Sequence, residues 1–218
     1  TQALIAGAQI NGVDCQFGVN VENIILNSDK IQLETTADSL NVDWLVIAAG
    51  LGSTPLTACL KETIAIGPVL GQGLELKLEQ GLGDGQPVIS GHDVHIIPLP
   101  EGSYWVGATV EFPQEKSKLV PVPEMLEEVK RKAIACCPNL AHGTIVRTWW
   151  GLRPRPQGRF APIIEKLPGY DRVLLATGHY RNGILLAPAT AIAIRNLLLS
   201  ETKDWACPPD HYTPTQGL

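Results

Sequence analysis

The chain has 218 residues, 44% of them hydrophobic and 18% charged, and a formal net charge of −5. That supplies a sizeable core for one large domain or two small ones and excludes a disordered chain. The acidic balance, with no basic stripe and no polybasic patch, argues against nucleic acid or a membrane surface as a partner, since both recruit clustered Lys and Arg.

Residues 1–12 read as a helix end, stopped by Asn11-Gly12. Three short strands are predicted next, around Asp14–Phe17, Val21–Leu26 and Lys30–Thr35, with Asn27-Ser28-Asp29 as a hairpin turn. The apolar run Trp44 to Gly50 predicts a buried strand of the kind found in parallel sheets. The middle of the chain predicts an antiparallel sheet from Lys61–Ile66, Leu70–Leu78, Val94–Pro98 and Tyr104–Val110, with Pro98 to Gly102 turning between the last two. A helix over Pro123–Cys137 places Met125, Leu126, Val129, Ala133 and Ile134 on one face, and Pro138-Asn139 stops it.

A strand follows at Thr144–Trp149, then Arg153-Pro154-Arg155-Pro156, whose prolines stiffen the backbone around both arginines. Arg172–Ala176 is another buried strand. It feeds a polar, glycine-bracketed loop, Gly178 to Gly183, and a final helix to about Leu199 that places Pro188 in its first turn. Pro188 and Arg195 interrupt the apolar run from Ile184, which is shorter than the roughly 20 residues of a membrane helix. The proline-containing tail from Cys207 reads as a surface extension. There is 1 methionine, Met125, and the chain opens inside a helix pattern, so it reads as the C-terminal part of a longer protein. The 5 cysteines, Cys136 and Cys137 adjacent, include no C-x-x-C pair, which predicts idle thiols in a reducing cytoplasm.

Three features carry chemistry. Two buried strands end in small residues, Ala48-Ala49-Gly50 and Ala176-Thr177-Gly178, and strand ends of this kind face ligand crevices in α/β sheets. Arg153 stands beside Trp149 and Trp150, where a half-buried guanidinium needs either an internal carboxylate or an anionic ligand. Arg181 raises the same choice. Backbone amides at the start of the last helix suit a polar or anionic group. His92-Asp93-Val94-His95 is a weak metal pattern without a further ligand cluster, and no metal site is assigned. Gly-x-Ser-x-Gly and P-loop patterns are absent. With no acid–base set evident, a cofactor would have to carry the chemistry.

Trp150-Gly151-Leu152-Arg153-Pro154 and Gly178-His179-Tyr180-Arg181-Asn182-Gly183-Ile184-Leu185-Leu186-Ala187-Pro188 resemble the C-terminal signatures of FAD-dependent glycine oxidases, in the D-amino-acid oxidase and sarcosine oxidase superfamily, some of which serve thiamine biosynthesis. Pro68-Val69-Leu70-Gly71-Gln72 is similar to the family's P-V-R-G-Q strand, and Val106-Gly107-Ala108-Thr109-Val110-Glu111 to its V-G-A-T-x-E strand. Val21 and Ala48-Ala49-Gly50 match its adenine- and FAD-proximal segments. Pocket positions depart: Leu70 and Leu99 stand where the family has arginines, His95 where it has a tyrosine, Val110 a methionine and Tyr180 a phenylalanine.

The resemblance implies a mixed α/β (α+β) fold: residues 1–60 and 144–205 as parts of an FAD domain, 61–143 as an antiparallel-sheet substrate domain, and 206–218 as a tail. It implies oxidation of the amine of glycine, sarcosine or a similar small amino acid by hydride transfer to flavin, with oxygen as acceptor. Quinone-dependent dehydrogenation and a degenerate binding module are the alternatives. Arg153 would clamp the substrate carboxylate, Arg181 would line the pocket mouth or assist, and His95 would tune the substrate amine. Val21, Ala49, Gly50, Gly151, His179, Arg181, Asn182, Gly183, Ile184 and Leu185 would contact FAD. A homo-oligomer is compatible with this reading. The family's strand–G-x-G-x-x-G–helix does not occur in the sequence, so the chain alone is expected to bind FAD poorly and to be inactive.

Overall fold

The computed structural model describes residues 1–83, 85–113 and 119–199. The chain forms two compact units: residues 1–65, 163–177 and from 187 onward in the first, residues 66–162 and 178–186 in the second. The fold is mixed α/β with antiparallel sheets. The expected tail lies outside the described residues.

In the first unit, helix α1 (Gln2–Ile10) ends where Gly12 takes φ +84°, a conformation glycine adopts without cost. Strands β1 (Val21–Leu26), β2 (Ile31–Thr35) and β3 (Ser39–Val42) form an antiparallel meander that buries Ile24, Ile31 and Leu33. The third strand is therefore not the expected Asp14–Phe17, which is irregular. The Thr35 hydroxyl accepts from the amides of Ala37 and Asp38, a local turn that brings Ser39 back beside Glu34.

Strand β4 (Leu45–Ile47) is shorter than the apolar run suggested, and Trp44 and Val46 are each 37% exposed. Helix α2 (Ser53–Ala58) follows it.

The second unit is built on a five-stranded antiparallel sheet. Its strands are β5 (Ile66–Lys77), β6 (Ile89–Gly91), β7 (Val94–Pro98), β8 (Ser103–Gly107) and β9 (Thr144–Pro156), ordered β6-β7-β8-β5-β9. Leu74 and Leu76 of β5, Val94 and Ile96 of β7, and Tyr104 and Val106 of β8 share one face. They pack with Val129 and Ala133 of helix α3 (Pro123–Cys136). Period-2 alternation in the strands and 3.6-residue spacing in the helix select those residues. Met125, expected on the same helix face, is 37% exposed.

Lys61–Ala65 is not a strand; β5 begins at Ile66 and pairs with β9 over its whole length. The sequence boundary at 143 falls just before β9, whose partner throughout is β5. Strand β9 also runs past Trp149 through both prolines, because it is an edge strand, where a missing N–H breaks no ladder bond.

The first unit is completed by strands β10 (Ile163–Lys166) and β11 (Val173–Thr177). Strand β11 lies between β10, antiparallel, and β4, parallel, and buries Val173, Leu174 and Leu175. Helix α4 (Gly183–Leu198) begins in the second unit and continues in the first. Its start at Gly183 puts Pro188 in the second turn, not the first, so the carbonyl of Ile184 loses its helical donor.

Candidate functional site

Strands β4 and β11 are parallel neighbours, so their small-residue ends lie at the same edge, as the strand-end pattern predicts. The Thr177 hydroxyl ties them, donating to the Gly50 carbonyl at 3.2 Å and accepting from the Ser53 hydroxyl at 2.9 Å. Gly50 takes φ +58°, which favours glycine at this turn. Ala49, Gly50 and Val21, the first residue of β1, all belong to the first unit.

The face of the five-stranded sheet opposite α3 carries a cavity of about 580 Å³, lined entirely by residues of the second unit. Arg153, Arg181, His95 and Asn182 line it together, as do Trp105, Trp149, Tyr180 and Ile97. Gly151, His179, Gly183, Ile184 and Leu185 are not in its lining. Trp149 and Trp150, adjacent in sequence, point to opposite faces of β9; Trp149 lines the cavity and Trp150 does not.

Two glycines of β5 make room for this face. A Cβ on Gly71 would lie 2.0 Å from Arg153 Nη1, and one on Gly73 would lie 2.8 Å from the Trp149 ring. Arg153 and Trp149 therefore lie flat across bare β5 backbone. Arg153 Nη1 donates to the carbonyls of Thr109 at 3.1 Å and Leu70 at 3.3 Å. Burial lowers the Arg153 pKa; Tyr180 opposes that, the Arg181 charge adds to it, and the Glu111 charge opposes it. A guanidinium stays charged at neutral pH regardless, so this half-desolvated cation favours an anion.

Beside it, Trp105 and Trp149 meet edge to face with ring centroids 5.7 Å apart. The Arg147 guanidinium lies 5.4 Å from the Trp149 ring centroid and 5.8 Å from that of Trp105. Glu75 joins this group, accepting from Arg147 Nε at 2.8 Å and from the Trp105 indole at 3.1 Å. Those bonds, Arg147's first, hold its carboxyl below the usual range.

The His-Asp-Val-His stretch divides between two roles. His92 and Asp93, both at positive φ, are the two-residue turn of the β6–β7 hairpin, a type I′ geometry suited to strand twist. His95 stands on β7 and faces the cavity, with Nδ1 2.8 Å from the Ser90 hydroxyl. Among the described residues no group of three or more His, Cys, Asp or Glu could hold a metal.

The 178–182 loop is fastened to β9. Gly178 takes φ +73° with its α-carbon against Pro156, and the Tyr180 amide donates to the Pro154 carbonyl at 3.0 Å. Arg155 lies over the rings of Phe112 and Tyr180 at 5.4 and 6.0 Å. The Asn182 carbonyl accepts from Leu186 and so opens α4. The next two side chains, Ile184 and Leu185, are 96% and 79% exposed. His179 is half-buried behind this start, and burial lowers its pKa.

Unprotected apolar side chains beside unpaired helix-start amides fit the ring end of a flavin, which is flat, apolar and electron-accepting at one edge. No glycine-rich pyrophosphate cradle accompanies them in this sequence.

This arrangement of glycine-floored sheet, half-buried arginine and helix start belongs to a chain whose family is shown by comparison with known proteins. The chain belongs to the FAD dependent oxidoreductase family, whose model matches residues 1–197, and FAD is the cofactor of that family. It is 33% identical over 206 residues to the bifunctional protein ThiO/ThiG of Synechocystis sp., covering 91% of this chain and 30% of that one. It is 34% identical over 165 residues to the glycine oxidase of Pseudomonas putida, covering 75% and 44%. The crystal structure of glycine oxidase from Geobacillus kaustophilus superposes with a TM-score of 0.82 at 24% identity, over 99% of this chain and 57% of that one. The chain thus spans between 30% and 57% of the length of these relatives.

Sequence reasoning missed Trp105, Ile97 and the room-making role of Gly71 and Gly73. The glycine spacing in Gly71-Gln72-Gly73 was the available signal, since glycine inside a strand marks close approach. Among the described residues Cys15, Cys59, Cys136 and Cys137 are free, and no helix is long and apolar enough to cross a membrane.

Proposed function

We propose that this chain supplies the substrate-facing part of an FAD-dependent oxidase that converts the amine of glycine, sarcosine or a similarly small amino acid to an imine, with oxygen as acceptor. The observation that carries it is Arg153, a half-desolvated cation held flat over Gly71 inside a cavity shared with Arg181 and His95. Arg153 binds the substrate carboxylate. That fixes the α-carbon and its amine relative to the cavity walls, the positioning part of catalysis. Arg181 adds a second cation at the same cavity and assists the clamp. His95, held through Nδ1 by Ser90, orients the amine. Trp105 and Trp149 wall the cavity with apolar surface.

Gly151, His179, Asn182 and residues 183–185 would hold FAD, with Ile184 and Leu185 offering apolar contact and the helix-start amides offering donors. When bound there, FAD would supply the two-electron acceptor for this oxidation, with oxygen as the terminal oxidant and hydrogen peroxide as its product. In the full-length protein loaded with FAD, peroxide is expected to form in proportion to the glycine or sarcosine consumed. Amine consumption that requires an added quinone would replace the oxidase by a dehydrogenase. Arg153→Ala is expected to lower kcat/KM on the order of 100-fold, the loss of a charged pair of about 3 kcal/mol. Unchanged kinetics would remove Arg153 from the site.

A further inference from the structure

Glu111 is 5% exposed, and the direct role just given to the cavity does not use it. Its side chain collects donors from three directions: Gln72 Nε2 at 2.8 Å, the Thr109 hydroxyl, and the Val122 amide at 3.0 Å. Thr109 Oγ1 in turn accepts from the Gln72 amide at 2.8 Å. The backbone repeats the link. The Leu70 and Glu111 amides each donate to the other's carbonyl at 2.9 Å, and the Thr109 amide donates to the Gln72 carbonyl at 3.1 Å.

Pro68-Val69-Leu70-Gly71-Gln72 and Val106-Gly107-Ala108-Thr109-Val110-Glu111 are therefore one knitted unit rather than two separate signatures. Its two outward products are the carbonyls of Leu70 and Thr109. Those are the carbonyls that receive Arg153 Nη1. Buried polar networks of this kind are stiff when every member is satisfied and costly when one is removed.

We propose that Glu111 is a positioning residue: by fixing Leu70 and Thr109 it sets where the Arg153 guanidinium meets a substrate carboxylate. The proposal rests on Arg153 being the carboxylate clamp. It assigns Glu111 no contact with substrate. It also gives Gln72 a purpose other than lining the cavity, since its amide nitrogen reaches both Glu111 and the Val122 carbonyl at 2.8 Å.

The test uses the full chain and tryptophan fluorescence, because Trp105 and Trp149 line the cavity. The probes are glycolate, which replaces the amine of glycine by a hydroxyl, and glycolamide, its neutral counterpart. The readout is the ratio of their affinities, well below the melting temperature. A merely structural role for Glu111 would lower the melting temperature and leave that ratio alone. Glu111→Gln is expected to reduce the glycolate preference roughly tenfold, as a displaced charge-assisted hydrogen bond would. Arg153→Ala is expected to abolish it.

If Arg153→Ala abolishes the preference and Glu111→Gln keeps it, the positioning role is overturned and the clamp stands. If Arg153→Ala keeps it, the clamp fails and the positioning role falls with it. Should Glu111→Gln not fold, Thr109→Val, which removes the hydroxyl joining Glu111 to the Gln72 amide, must lower the same ratio for the proposal to survive.

Discussion

The two faces of the second unit's sheet use the same alternation for opposite ends. Toward α3, strands β5, β7 and β8 offer large apolar side chains, and Leu74, Leu76, Val94, Ile96 and Val106 are at most 2% exposed. On the other face, β5 offers Gly71 and Gly73, and the neighbouring strand supplies long side chains that fold over them. One face is filled by its own residues. The other is kept thin in the middle so that a guanidinium and an indole can lie on it. Stability and function are thus separated by a one-residue step along a single strand.

Substitutions on alternate residues of β5 should pull that contrast apart. Leu74→Ala, on the filled face, is expected to cost about 2–5 kcal/mol of unfolding free energy in denaturant melts while leaving glycolate affinity of the folded protein unchanged. Gly71→Ala should do the reverse. Its Cβ would displace Arg153, so glycolate affinity should fall by about tenfold or more, with a change in stability of about 1 kcal/mol. Comparable losses of stability in both would erase the division between the faces.

The smallest effect is expected from pH. His179 has its folded-state pKa lowered by burial below its ordinary 6.5. The unfolded chain therefore binds the proton more readily. The contribution of neutral His179 is fully present above pH 6.5 and is lost as pH falls through the folded value. Melts across that interval should show stability declining toward acid, and His179→Gln should flatten that part of the profile. A profile of unchanged slope would place the half-burial of His179 outside the stability of the loop.

Elements with strong periodicity were legible in the sequence: α3, the β1–β2 hairpin, β7 and β11. The strand Ser39–Val42 was not, because it is only four residues long and its residues are mostly exposed. The extension of β9 was hidden by Pro154 and Pro156, which read as a stop until the strand is known to be an edge. At the site, Arg153, Arg181 and His95 could be named from residue type and resemblance, and all three line one cavity. Trp105 could not. Its placement depends on β8 pairing with β5 opposite Glu75, a register no local pattern announces. Glu111 was visible only as a letter in a motif, since its partners Gln72 and Val122 are distant in sequence and meet through the sheet.

The prolines of β9 have a consequence for solubility. In an antiparallel strand a residue's N–H and C=O point the same way, and the Pro154 carbonyl faces the 178–182 loop, away from β5. Pro154 and Pro156 share that outward side and bring it no donor. A foreign strand approaching this edge of β9 would find no N–H donor at Pro154 or Pro156, and the Pro154 carbonyl already taken by Tyr180. Edge-to-edge growth, the common route from an open sheet to aggregates, is hindered at the part of β9 beside Arg153.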